Sequence, residues 1–143
     1  MASGTSVRAD YLGGDRFEIG VGRHRVVVDQ PVEAGGDDAG PTPTELFVAS
    51  LAACVGHYAQ RYLRRHDLPV DGLAVDGTFA TSRERPARVA EIVLDVRLPA
   101  AIPEDRRAAL ERVIDHCMVH ESIRMAPEVL ERIVEPPPAA HVA

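Results

Sequence analysis

The segment Thr42–His66, TPTELFVASLAACVGHYAQRYLRRH, constrains the fold more than any other part of the chain. It opens on a full set of helix-start signals. Thr42 is placed to be the N-cap, Pro43 suits the first helical position because it has no N–H to lose, and Glu45 completes a capping box three residues after Thr42. From Leu46 to Gly56 nearly every residue is apolar, and many are small. A helix apolar almost all round predicts a central element covered on most sides. Towards Arg65 or His66 one side turns polar and should reach the surface. Arg61, Arg64 and Arg65 fall in the last turns, where cations suit the helix dipole.

The rest of the chain has to be built around that helix. At 143 residues there is room for one domain with one core, expected over 1–143 with flexible ends at 1–6 and 136–143. Aromatics make up only 4% and there is no Trp, so the core must be mostly Ala, Val, Leu and Ile. Before the helix, VRADYLGG predicts an edge strand ending in the Gly13-Gly14 turn, and RFEIGVGRHRVVVDQP a hairpin turning near Gly22-Arg23-His24. VEAGGDDAGP is a loop by composition. After Pro69, GLAVDGTFATS and ARVAEIVLDVRLPA alternate apolar and polar residues and predict two long antiparallel strands. PEDRRAALERVIDHC predicts a second helix, MVHESIRMA a short helical turn, and EVLERIVE a final alternating strand. Strands and helices do not alternate strictly, which favours α+β with antiparallel sheets over a parallel Rossmann-like sheet.

The net charge of −6 argues against a nucleic-acid or anionic-membrane partner. The longest apolar run, Leu46 to Gly56, is too short to span a bilayer, and MASGTSVRADY carries no secretory h-region. A reducing cytoplasm is therefore the expected compartment. There, two cysteines point to free, redox-active or metal-binding thiols rather than a permanent disulfide.

Cys54 lies mid-helix and Cys117 far along the chain in DHCMVHESI. Three readings compete. They can be inert packing residues, since free Cys is among the most buried residue types. They can be a peroxidatic pair, in which a thiolate attacks and a second thiol resolves the sulfenic acid. That reading demands a cation near Cys54, for which Arg16, Arg23 and His57 are the candidates. Or Cys54, His57, Cys117 and His120 form a Cys2His2 zinc site from two C-x2-H pairs. Glu45 is nine residues from Cys54, on the opposite side of an ideal helix and about 13 Å along its axis. The two can share a site only if the helix is irregular or a second subunit supplies one of them.

DQPVEAGGDDAGPTPTELFVASLAAC followed by CMVHESI resembles the OsmC/Ohr family, the osmotically inducible and organic-hydroperoxide-resistance proteins. The resemblance covers nearly the whole chain. It rests on Gly35-Gly36, Pro43-Thr44-Glu45-Leu46, Ala52-Ala53-Cys54 and the segment from Cys117 to Ile123. It implies an intertwined α+β homodimer, with antiparallel sheets around a long buried central helix. It also implies a cysteine-based peroxidase for organic hydroperoxides, with Cys54 peroxidatic and Cys117 resolving, regenerated by an external dithiol and needing no bound cofactor. An N-terminal arginine, best matched by Arg16, and a helix-start glutamate, Glu45, would hold the thiolate and orient the peroxide. The hydroperoxide-resistance branch places its glutamate ten residues before the cysteine. This chain has Thr44 there and Glu45 one residue later, a rotation of about 100° on a helix. The pattern is closer to OsmC-like members, for which binding a small apolar ligand or sensing redox state is the alternative function.

Overall fold

The structure, a computed structural model, describes residues 4–138. Strands β1 (Val7–Gly13), β2 (Arg16–Val21) and β3 (His24–Val28) form an antiparallel sheet in that order. Val21 pairs with His24 across a two-residue turn, which Gly22 opens at φ +57°, a conformation only glycine takes freely. Helix α1 (Pro43–Arg65) follows, then the hairpin β4 (Ala74–Thr81) and β5 (Val89–Arg97), and helices α2 (Glu104–Asp115) and α3 (Met118–Arg124). The fold is α+β with antiparallel sheets, as the patterning predicts.

The start of α1 forms as its sequence dictates. Glu45 N–H donates to Thr42 Oγ1 at 3.1 Å, and Thr42 N–H donates back to Glu45 Oε2 at 2.7 Å. The helix ends at His66, and Asp67 then turns into the left-handed region at φ +54°. Val48, Leu51, Val55, Ala59, Tyr62 and Leu63 form its buried face. That face packs on β4, β5, α2 and α3. Around Ala59, Tyr62, Leu63 and Leu110 lie Leu98, Ile102, Val113 and Ile114; around Leu51, Val55 and Cys117 lie Val75, Ile92 and Leu94.

The expectation of a helix covered on most sides is not met within one chain. Phe47, Ala49, Ser50, Ala53 and His57 are exposed on α1. The reason is that β1–β3 does not fold over them: this sheet makes no substantial packing against any helix or against β4–β5. Val7, Tyr11, Phe17 and Val26 of that sheet are exposed as well.

The final strand expected at EVLERIVE is also absent. Residues 126–138 form no regular secondary structure, and Val129, Leu130, Ile133 and Val134 are exposed. A period-two pattern becomes a strand only where a neighbouring edge accepts its hydrogen bonds, and neither sheet of this chain takes it up. Of the expected flexible ends, residues 1–3 and 139–143 lie outside the described residues.

The Gly-rich loop between β3 and α1 is tightly built. Asp29, 1% exposed, accepts the N–H groups of Gln30 (2.8 Å), Ala39 (3.0 Å) and Asp37 (3.1 Å). A Cβ on Gly36 would stand 2.0 Å from the Gln30 carbonyl oxygen, and one on Gly40 2.1 Å from that of Val27. Only glycine permits either approach.

Candidate functional site

The fold brings the two cysteines together. Cys54 sits between Leu51 and Val55 on the inward face of α1. The corner from α2 to α3 at His116 delivers Cys117 as the residue that opens α3. The two side chains are in contact, within one apolar cluster that includes Leu51, Val55, Ile92 and Leu94. Their surroundings differ. Cys117 is fully buried, whereas Cys54 is only partly so. Burial pushes the Cys117 thiol above its ordinary range. The facing Cys54 adds to that rise, and the backbone N–H groups of His120 and Val119 partly counter it. Cys54 is the more accessible of the two thiols and Cys117 the less accessible.

The corner that carries Cys117 is fixed by ion pairs. Arg124 donates to Asp115 Oδ1 (2.6 Å), to the Asp115 carbonyl (2.8 Å) and to Glu121 Oε1 (2.8 Å). His116 Nδ1 lies 3.3 Å from Glu121, and His120 Nδ1 lies 3.9 Å from Asp115. Arg124 is the main reason both carboxyls sit below their usual range.

A half-open cavity of about 370 Å³ adjoins the pair. Its walls are mainly apolar, among them Phe47, Leu51, Ile92, Leu94 and Ile123, with His120 and Glu91 as polar groups. Leu51, Ile92 and Leu94 also belong to the cluster around the thiols, so the cavity and the cysteines share a wall.

The other expected site residues lie elsewhere in the chain. Glu45 is exposed and engaged in the capping box. Arg16 lies at the Gly-rich loop, 4.0 Å from Asp37 and close enough to Asp29 to help lower its pKa. Its Nε is buried without a hydrogen-bond partner among the described residues. Arg23 is in the β2–β3 turn, and His57 lines a different surface groove with Ala53 and Gly56. Among the described residues no three His, Cys, Asp or Glu side chains are arranged to hold a metal ion. Cys54, His57, Cys117 and His120 thus do not assemble into a zinc site: His57 leaves α1 on the exposed side while Cys54 faces the core.

Two features escape sequence reasoning. One is Asp29, whose only signal is an acidic residue placed between a β-branched run and a glycine-rich loop. The other is the cavity, whose walls come from α1, β5 and α3 and share no local pattern.

Two contacting thiols held by a helix and a helix corner in an α+β fold define a two-cysteine protein of redox-capable architecture. The chain belongs to the OsmC-like protein family, which matches residues 35–131, more than half of its length. Its fold is similar to that of an osmotic stress induced and detoxification response protein from Psychrobacter arcticus (TM-score 0.77, 20% identity, covering 85% of this chain and 90% of that one). It is also similar to an OsmC-like protein from Mycoplasma pneumoniae (0.71, 16%, 88% and 91%). A third similar structure is an organic hydroperoxide resistance protein, OsmC, from Legionella pneumophila (0.66, 18%, 87% and 91%). No curated protein matches the sequence. Among the described residues no helix is long and apolar enough to cross a membrane.

Proposed function

We propose that the protein is a thiol-dependent peroxidase that reduces organic hydroperoxides and works as a homodimer. The observation that carries this reading is the contact between Cys54 and Cys117 beside an apolar cavity. The Cys54 thiolate attacks one peroxide oxygen; the O–O bond breaks, and the leaving alkoxide takes a proton to become the alcohol. Cys54 is left as sulfenic acid. Cys117 attacks its sulfur, water leaves, and a Cys54–Cys117 disulfide closes. An external dithiol reduces that disulfide and becomes a disulfide itself. The raised pKa of Cys117 makes the closing step faster as pH rises through and above the ordinary thiol range.

The homodimer is supported by what one chain leaves uncovered. The β1–β3 sheet, the outer face of α1 and the alternating segment 128–135 each lack substantial cover among the described residues of their own chain. Arg16 travels with that sheet and Glu45 with the start of an uninterrupted helix, so neither reaches Cys54 of the same chain by local bending. A second subunit is the remaining source of either group.

The test is to treat reduced protein with cumene hydroperoxide and map the products by mass spectrometry. The expected result is a Cys54–Cys117 disulfide in the wild type and a dimedone-trapped sulfenic acid on Cys54 in Cys117→Ser. A Cys54 that stays unoxidised in Cys117→Ser under the same treatment overturns the proposal. The apolar walls of the 370 Å³ cavity favour a second reading, a dimer that binds a small apolar ligand without turnover. Native mass spectrometry showing a retained ligand, together with no peroxide consumption, would select it.

A further inference from the structure

The dipole accounts for cationic residues near the end of α1, but not for what surrounds them. A cavity of about 330 Å³ opens where the last turns of α1 meet α2, lined by Tyr58, Arg61, Tyr62, Arg65 and His66. Arg106, from the start of α2, reaches His66 Nδ1 at 3.0 Å. A guanidinium has only donors, so Nδ1 accepts and the ring proton of that pair sits on Nε2. The His66 ring lies against Tyr62, with centroids 4.3 Å apart. Tyr62 is 7% exposed, and its hydroxyl is buried without a hydrogen-bond partner among the described residues.

The chain has no lysine, so its 16 basic side chains are all arginines, which stay charged at any working pH. Acidic residues outnumber them, 22 to 16. Even so, Arg61, Arg65 and Arg106 take part in none of the ion pairs formed by the described residues. A solvated cationic face explains exposed arginines. It does not explain a buried hydroxyl with no acceptor among the described residues, nor two α1 arginines on one concave surface whose His66 holds a third guanidinium, from α2. The charged groups on the cavity wall, Arg61 and Arg65, are hydrogen-bond donors only. The negative end of α1 opposes an anion there, but its terminal carbonyls are already occupied by the N–H groups of His66, Asp67 and Leu68.

We propose that this cavity binds a small phosphate monoester, at a site separate from the thiol pair. Two guanidinium forks on the wall, with a third held beside it at His66, suit a tetrahedral group with three acceptor oxygens better than a planar carboxylate. A small shift of the Tyr62 ring, which lines the cavity, would bring its unpartnered hydroxyl to the phosphate. The volume exceeds that of the phosphate and leaves room for an organic part against Tyr58 and Tyr62. Along α1, Arg61 and Arg65 lie about 10 and 16 Å from Cys54, so a ligand here need not touch the reacting sulfur.

The experiment is isothermal titration calorimetry of the full chain with inorganic phosphate and with phenyl phosphate, at constant ionic strength set by chloride. The expected result is one phosphate per chain, with phenyl phosphate binding more tightly. Arg61→Gln and Arg106→Gln should each weaken binding about tenfold, the loss of one charge-assisted contact. Tyr62→Phe should weaken it less, and Cys54→Ser should bind as the wild type does. Arg61 is exposed on a helix, so its variant decides the matter even if Arg106→Gln does not fold. The proposal is overturned if the wild type shows no binding at millimolar phosphate. It also fails if Arg61→Gln binds phosphate unchanged, or if citrate binds where phosphate does not.

Discussion

The body made by α1, β4–β5, α2 and α3 and the sheet made by β1–β3 use the same means to opposite ends. Both contain antiparallel strands with apolar residues at alternate positions. In the body those residues land on α1, and the core closes to the point that Ala59 and Leu63 are 0% exposed. In the β1–β3 sheet they land on nothing in the chain, and Tyr11 and Val7 remain 66% and 63% exposed. Alternation therefore states which face of a strand must be buried, but not which molecule buries it. The loop from Asp29 to Pro41 joins the two regions, tied by the Asp29 carboxylate to three backbone N–H groups.

The comparison can be broken most directly in the body. Leu63→Ala should cost about 2–5 kcal/mol in urea unfolding, because Leu63 is sealed between α1 and α2 and its cavity cannot collapse easily. A loss below 1 kcal/mol, a value typical of surface sites, would mean that the body is no more closed than the sheet. Gly40→Ala comes next, at about 1–3 kcal/mol, since a backbone oxygen occupies the space its Cβ needs. If Gly40→Ala melts like the wild type, the loop is not the fixed joint described here.

Asp29→Asn sharpens the role of the same joint through pH. The amide of Ala39 is the largest cause holding the Asp29 carboxyl below the usual range. Burial opposes it, and Gln30, Asp37 and the Arg16 charge reinforce it. A depressed pKa contributes stability above the unfolded value of about 3.9, which is lost as pH falls through the folded value. Wild type should therefore be more stable than Asp29→Asn at neutral pH, with the gap closing below about pH 4 in acid titrations followed by circular dichroism. A gap that is constant with pH would remove the carboxylate from the account. The smallest expected effect on the single chain is that of Ile133→Ser. Its side chain is 96% exposed, so the change should stay within about 0.5 kcal/mol at high dilution. Sedimentation at higher concentration should show weaker association than wild type. Equal association would free the 128–135 segment from any part in the proposed dimer.

Helix α1 was legible to the residue at its start, because a capping box and a proline are local signals that the backbone obeys. The hairpins were legible from alternation and from glycine at turns. The meeting of Cys54 and Cys117 was not available from spacing, since 63 positions of chain separate them and only the family resemblance paired them. The uncovered face of α1 and the missing last strand have one cause: both patterns report a need for cover, and the described residues of one chain do not supply it in full. Asp29 stayed hidden because its partners are backbone amides, which leave no trace in side-chain identity. The cationic cavity stayed hidden because Arg106 comes from a different helix than Arg61 and Arg65.

Among the described residues, both outer strands of the β1–β3 sheet, β1 and β3, have one edge with no partner, and residues 126–138 carry apolar side chains into water. In the proposed homodimer, such a chain is finished only by a collision. Its refolding from denaturant should therefore include a second-order phase whose rate scales with protein concentration, in competition with edge-to-edge aggregation. Dilution would favour the solubility of each chain but starve the step that completes it. Yield on refolding then has an optimum concentration, rather than improving steadily as the protein is made more dilute.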